Sequence, residues 1–300
     1  MKNSLLFLSF LLLPVILNAQ STPAKERSRE NALDEIPSVL GFSEVGAIGL
    51  GSLSLKDEAT SPLIYNGPAF SLAINRLKRN TLKESQFGTR FIFGLPFTRV
   101  GEETDIGQYF SLAVNYTYLR NIPKFSFANT NVLVGGTLDV TSVIRVNTSF
   151  LNNAFGLDFF PTLMGSVKLN KPFYRKSIWH QILDSPLFRW IGSKKQRPKV
   201  HQEVSFQTNI GFINTNLRNG FAYTSHAPFY NNDNFLEDHE FHWFSGLKIR
   251  SSISYLLFSN NTKNGTKFSY IWEGFRSGAN PDRFSVSSGM FQFSLIHRLY

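Results

Sequence analysis

Taking every second residue from Phe110 gives Phe110, Leu112, Val114, Tyr116 and Tyr118. The residues between them are Ser111, Ala113, Asn115 and Thr117. Side chains on a strand alternate between two faces, so this stretch has one apolar, aromatic face and one small, polar face. The pattern recurs along the chain. Phe70, Leu72 and Ile74 lie opposite Ser71, Ala73 and Asn75. Phe87, Phe91 and Phe93 lie opposite Gln86, Gly88 and Arg90. Val204, Phe206, Ile210 and Phe212 lie opposite Glu203, Ser205, Gln207 and Asn209. The periodicity predicts strands over 43–55, 67–77, 85–97, 107–120, 130–142, 153–169, 203–216, 240–257, 266–276 and 284–299. That is ten strands; a further one at 220–227 with a partner would make twelve.

A soluble sandwich would bury the apolar face, and a membrane barrel would present it to lipid. Strand length separates the two. The predicted strands run 11 to 18 residues, whereas strands of soluble domains centre on about 5–6 and bilayer-spanning strands need about 9–11. Aromatic residues also gather toward strand ends, at Tyr116 and Tyr118 or Trp243 and Tyr255, as they do in interfacial girdles. The expected class is all-β: an antiparallel up-and-down transmembrane β-barrel. Closure is required because lipid offers an open strand edge no hydrogen-bond partner.

The start of the chain agrees with this. Lys2 precedes an apolar run from Leu5 to Leu17, and Ala19 is a small residue at a plausible cut site. That is the pattern of a secretory signal over 1–19, too short to span as a helix. A polar tail over 20–42 and a barrel over 43–300 complete the expected organisation. There is no cysteine, so neither a disulfide nor a thiolate metal site enters the reading. Phenylalanine reaches 30 of 300 residues, while charged residues make up 17%. Net charge is +10, and residues 168–199 alone hold nine basic residues against Asp184. Outside them the chain is close to neutral, which gives no support to nucleic-acid binding.

These features together, the N-terminal signal, the missing cysteine, the long alternating strands and a final strand "MFQFSLIHRLY" ending on an aromatic, resemble bacterial outer-membrane β-barrel proteins of Gram-negative cells. The "NAQ" cut site and the Phe- and Asn-rich strands resemble those of the Bacteroidota. In one respect the chain departs from that family. The apolar register of the last strand, Phe291, Phe293 and Leu295, is out of phase with Tyr300. The resemblance implies outer-membrane localisation, contact with outer-membrane lipid and both termini in the periplasm. Segments 56–66, 98–106, 143–152, 217–239 and 277–283 then face outward, and the basic insertion 170–202 is periplasmic.

Three groups of residues could carry function. Arg90, Asp139, Asp158, Glu203, Lys248, Arg250 and Glu273 fall on the lumen face, as a charged, porin-like pore or as internal ion pairs. Ten strands enclose little more than the side chains that fill eight, so any passage would be narrow. In "SIWHQILDSPLFRWIG" the apolar spacing suits an amphipathic helix. Lys176, Trp179, Arg189, Trp190, Lys194 and Lys195 would meet anionic headgroups or a periplasmic or membrane protein partner. At the outer rim, Glu103 and Asp105 accompany Glu240 and His242. This resembles the omptin proteases, ten-stranded barrels in which an aspartate, a histidine two residues on and an acidic pair activate water; here Glu240 and Glu103 replace aspartates. Ser225 and His226 offer a weaker parallel to outer-membrane lipid hydrolases. No glycine-rich phosphate loop or Cys/His metal spacing is present, so no cofactor or metal is expected. The expectation is a barrel without catalytic activity, either a narrow passage or a docking scaffold, with a rim hydrolase as the alternative.

Overall fold

The computed structural model describes residues 41–80, 82–127, 130–147, 155–175, 200–218, 240–244, 246–258, 264–278 and 283–298. The strands in chain order are β1 (Gly41–Asp57), β2 (Tyr65–Arg79), β3 (Lys83–Gly94), β4 (Phe97–Val100), β5 (Glu103–Ile106), β6 (Gln108–Asn121) and β7 (Asn131–Val146). They continue with β8 (Phe155–Arg175), β9 (Val200–Asn214), β10 (Asn216–Arg218), β11 (Glu240–His242), β12 (Leu247–Phe258), β13 (Asn264–Ser277) and β14 (Phe284–Arg298). Ten of them form a ring in the order β1-β14-β13-β12-β9-β8-β7-β6-β3-β2, and β1 also pairs with β2, which closes it. Every pairing in the ring is antiparallel. This is the predicted barrel with ten strands rather than twelve.

The two faces of the strands fall as the alternation requires. Ile48, Ile74, Phe91, Val114, Phe212 and Phe291 are exposed on the outer surface. Ser71, Arg90, Ala113, Thr117, Asn209 and Gln292 are buried inside. Aromatic pairs cross neighbouring strands on the outer face, with ring centroids 5.1 Å apart for Phe93 and Phe110 and 4.7 Å for Tyr270 and Phe291. No described helix is long and apolar enough to cross a membrane.

Three details depart from simple alternation. β3 stops at Gly94 instead of reaching 97, and the predicted outward loop is a β4–β5 hairpin. Its turn holds Gly101 at φ +64°, a left-handed conformation that glycine adopts without steric cost. β1 carries a bulge: its register shifts between Glu44 and Gly46 against β14 and between Ser43 and Ala47 against β2. An extra residue in one strand reverses the parity of the faces. Glu44 therefore points inward below the bulge, as Ala47 does above it. Finally, β8 and β9 remain paired out to Arg175 and Val200. The connection predicted over 170–202 thus narrows to 176–199. The end where β1 begins and β14 finishes is called proximal below, and the other distal.

Candidate functional site

The lumen is filled, and it is filled in layers. At the distal end Asp57, Arg145, Asp158 and Arg218 form a closed ionic square. Arg218 Nε donates to Asp158 at 3.0 Å and its Nη2 to Asp57 at 3.1 Å. Arg145 lies 2.7 Å from Asp158 and also pairs with Asp57. Both guanidinium groups sit over the ring of Phe284, at 5.0 and 4.9 Å from its centroid, where the negative π face attracts cations.

Beneath this square lies an apolar layer. Phe160, Phe275 and Phe284 are buried with Leu53, Tyr109 and Met290. Phe160 and Phe284 are stacked within 6° at 5.6 Å, and Phe160 and Phe275 meet tilted at 4.4 Å. Here the interior resembles the core of a soluble domain. The expectation of a uniformly polar lumen face is corrected at these positions, because aromatic residues occupy both faces of β8, β13 and β14.

The middle layer is ionic again. Lys248 Nζ donates to Asp139 at 2.5 Å and to Thr141 at 2.6 Å. Arg250 donates to Glu273 at 2.6 Å and to Asp139 at 2.7 Å. Arg90 reaches Glu273 from β3. A further ionic layer closes the proximal end. Lys168 lies 2.5 Å and Arg79 2.6 Å from Glu84. Arg79 then spans the barrel to hold Glu203 with two bonds of 2.7 and 2.9 Å. β2 and β9 stand five places apart in a ring of ten, so this pair bridges opposite walls. Lys267 pairs with the Glu44 that the bulge turns inward, and Asn75 donates to the same carboxylate at 2.6 Å.

The structure thus places all seven predicted lumen residues inside, and Asp139, Lys248, Arg250, Glu273 and Arg90 meet in one cluster. Asp158 and Glu203 belong to separate layers above and below. Sequence reading missed their partners Asp57, Arg145, Arg218, Arg79, Glu84 and Lys168. For Lys168 the signal was there: it shares parity on β8 with Asp158, Thr162 and Ser166. By sequence it counts among the nine basic residues of 168–199, and in the fold it is a buried lumen cation.

Between the middle and proximal layers lies a cavity of about 120 Å³. Asn115, Thr117, Ser205, Gln207, Asn209 and Gln292 line it, with Arg90 and Arg250 on one side and Lys168 and Glu203 on the other. A smaller cavity of about 40 Å³ sits at the distal mouth beside Asp57 and Arg145.

The predicted rim residues stand on two separate hairpins. Asp105 on β5 accepts from the Tyr65 hydroxyl at 2.7 Å and from the Asn147 amide at 3.1 Å, while the Glu103 side chain is exposed. Glu240 and His242 pair through their backbones with Arg218 and Asn216, and the His242 side chain is exposed. β5 joins the ring through β4 at β2, and β11 joins through β10 at β8, four places away. Lys176, Trp179, Arg189, Trp190, Lys194, Lys195, Ser225 and His226 lie outside the described residues.

No family model and no curated protein sequence matches the chain. Solved structures similar to it include the outer membrane protease OmpT from Escherichia coli, at 7% identity and a TM-score of 0.43 over 87% of this chain and 98% of that one. The translocator domain of the autotransporter NalP from Neisseria meningitidis matches at 5% identity, TM-score 0.32, over 92% and 94%. Ail, the attachment invasion locus protein of Yersinia pestis, matches at 10%, TM-score 0.23, over 85% and 98%. All are likenesses of barrel architecture between chains of very different sequence.

Proposed function

We propose that this chain is a non-catalytic barrel of the bacterial outer membrane, exported with its 1–19 signal removed near Ala19, and that it works as a scaffold through its ends rather than as a passage through its lumen. The observation that carries the reading is the sequence of cross-lumen layers. A solute would have to break the Arg79–Glu203 bridge, the Asp139–Lys248–Arg250–Glu273 cluster, the stacked Phe layer and the distal ionic square in turn. Removing one partner from a buried ion pair costs about 3–5 kcal/mol, so passive opening of several layers at once is disfavoured. The proximal end faces the periplasm in this reading. There the basic residues of 176–199 are offered to anionic headgroups or to an acidic protein partner.

In planar bilayers the purified protein should show no steady conductance. Stable ion-conducting openings of the unmodified barrel would return it to the class of narrow passages. In cells, deleting 176–196 and bridging with a short Gly/Ser turn should leave a folded barrel that no longer retains its partner.

A rim hydrolase is the second reading, favoured by one observation: Glu103/Asp105 and Glu240/His242 stand on hairpins at the same end. A carboxylate–His pair can serve as a general base toward water. Peptide, phospholipid or lipid A cleavage that is abolished by His242→Ala in a folded barrel would establish it, and wild-type protein inert toward all three would remove it.

A further inference from the structure

The lumen's charges can be balanced layer by layer. Among the described residues, the distal square has two cations and two carboxylates. The proximal layer has Arg79 and Lys168 against Glu84 and Glu203, and Lys267 is matched by Glu44. Only the middle layer is uneven, with Arg90, Lys248 and Arg250 facing two acids, Asp139 and Glu273. One positive charge is left over. Its bearers are buried: Lys248 is 1% exposed, Arg90 6% and Arg250 9%. A net charge held away from water and without a counter-ion is strongly unfavourable.

The surplus is not hidden among the acids. Arg90 and Arg250 line the 120 Å³ cavity, whereas Asp139 and Glu273 do not. The carboxylates lie behind the guanidinium groups, and the cavity meets their positive side. Around them are neutral donors, the amides of Asn115, Asn209 and Gln292 and the hydroxyls of Thr117, Ser205, Ser252 and Ser254, and the other lumen charges on the wall, Glu44, Lys267, Lys168 and Glu203, are each held in an ion pair. A cavity of this polarity is not dry. Its volume corresponds to about four waters at ~30 Å³ each, enough for one small ion that keeps part of its hydration shell.

We infer that the cavity is a binding site for a single small monovalent anion, a halide or a carboxylate of formate size, held between Arg90 and Arg250 and the amides of Asn115 and Gln292. The anion completes the charge balance of the lumen. It makes the barrel's stability depend on which anion the medium supplies, beyond the general effect of ionic strength.

The test uses the full mature protein. Crystals grown with bromide in place of chloride should show an anomalous peak inside the cavity. In detergent solution, thermal unfolding should have a higher midpoint in sodium chloride than in sodium gluconate of equal ionic strength, because gluconate is too large to enter. A higher midpoint in sodium formate would assign the site to short carboxylates as well as halides. Asn115→Asp is nearly isosteric and places a carboxylate on the cavity wall. That variant should unfold at the same temperature in chloride and gluconate and should show no bromide peak. Arg90→Gln removes the surplus charge and should lose the anion dependence as well. A wild-type cavity without bromide density, or a carboxylate of the chain other than Asp139 and Glu273 found filling the cavity against Arg90 and Arg250, would overturn the inference. So would equal chloride and gluconate midpoints for the wild type.

Discussion

The distal and proximal halves of this lumen are bounded by the same ten strands, yet they are sealed differently. The distal half has an apolar layer, Phe160, Phe275, Phe284 and Met290, beneath one ionic square. The proximal half has ionic layers separated by a polar cavity lined largely with amides and hydroxyls. Apolar packing loses stability in proportion to the volume removed. Ionic layers depend on every partner being present, because each leaves a charge behind when its mate is lost. The distal half should therefore respond to changes of size, and the proximal half to changes of charge.

Asp139 gives the sharpest way to break that contrast. It accepts from both Lys248 and Arg250. Asp139→Asn keeps the volume but strands a second positive charge in a layer that already has one in excess. We expect a loss of about 4–5 kcal/mol, the top of the range for a broken buried pair, read by urea unfolding of the refolded barrel. Lys248→Met removes a charge from the same contact and makes the layer even, so it should cost much less. Equal losses from the two variants would show that contact number, not charge balance, governs this layer.

In the distal half the largest effect should follow from size. Phe160 touches both Phe275 and Phe284, and Phe160→Ala should cost about 3–5 kcal/mol. Phe160→Leu should recover much of that loss in the same unfolding assay, because it restores apolar volume. On the outer wall, common to both halves, Val114→Arg should cost about 2–4 kcal/mol in a lipid bilayer if it lies near the midplane, and Val114→Leu should be neutral. A barrel equally stable with arginine at 114 would mean that this face does not meet lipid.

How far these features were legible follows from the periodicity itself. The alternation within each strand identified all ten ring strands and put Arg90, Asp139, Asp158, Glu203, Lys248, Arg250 and Glu273 on the inner face. It failed where a strand carries large apolar residues on both faces. Phe159 and Phe160 are neighbours of the same type, one outward and one buried, and no local signal distinguishes them. It failed also at Glu44, whose inward direction depends on a bulge that only the pairing with β2 and β14 reveals. The layering was out of reach for a different reason: Arg79 and Glu203 are 124 positions apart in sequence, and their meeting is a property of closure. The rim residues show the converse. Glu103, Asp105, Glu240 and His242 could be assigned to the outer rim from the sequence, but the hairpins that carry them, and the partners of Asp105 from β2 and from beyond β7, could not.

The smallest effects should separate a packed polar contact from a wet one. Thr137 sits in a chain of hydroxyls, 2.7 Å from Thr117 and 2.7 Å from Ser166, in a region where its neighbours are buried. Thr137→Val keeps the shape and leaves Ser166, which is buried away from the cavity, short of a hydrogen bond, which costs about 1–3 kcal/mol for a buried polar group. Ser205 is also buried, but its side chain borders the cavity. In Ser205→Ala a water can move into the space vacated by the hydroxyl and keep nearby polar groups satisfied. The expected loss is below about 0.5 kcal/mol, within the usual range for a change that leaves nothing unpaired. Chemical denaturation of the two variants side by side measures the difference. If Ser205→Ala proves as costly as Thr137→Val, the proximal cavity is not hydrated, and the contrast drawn between the two halves of the lumen fails at that point.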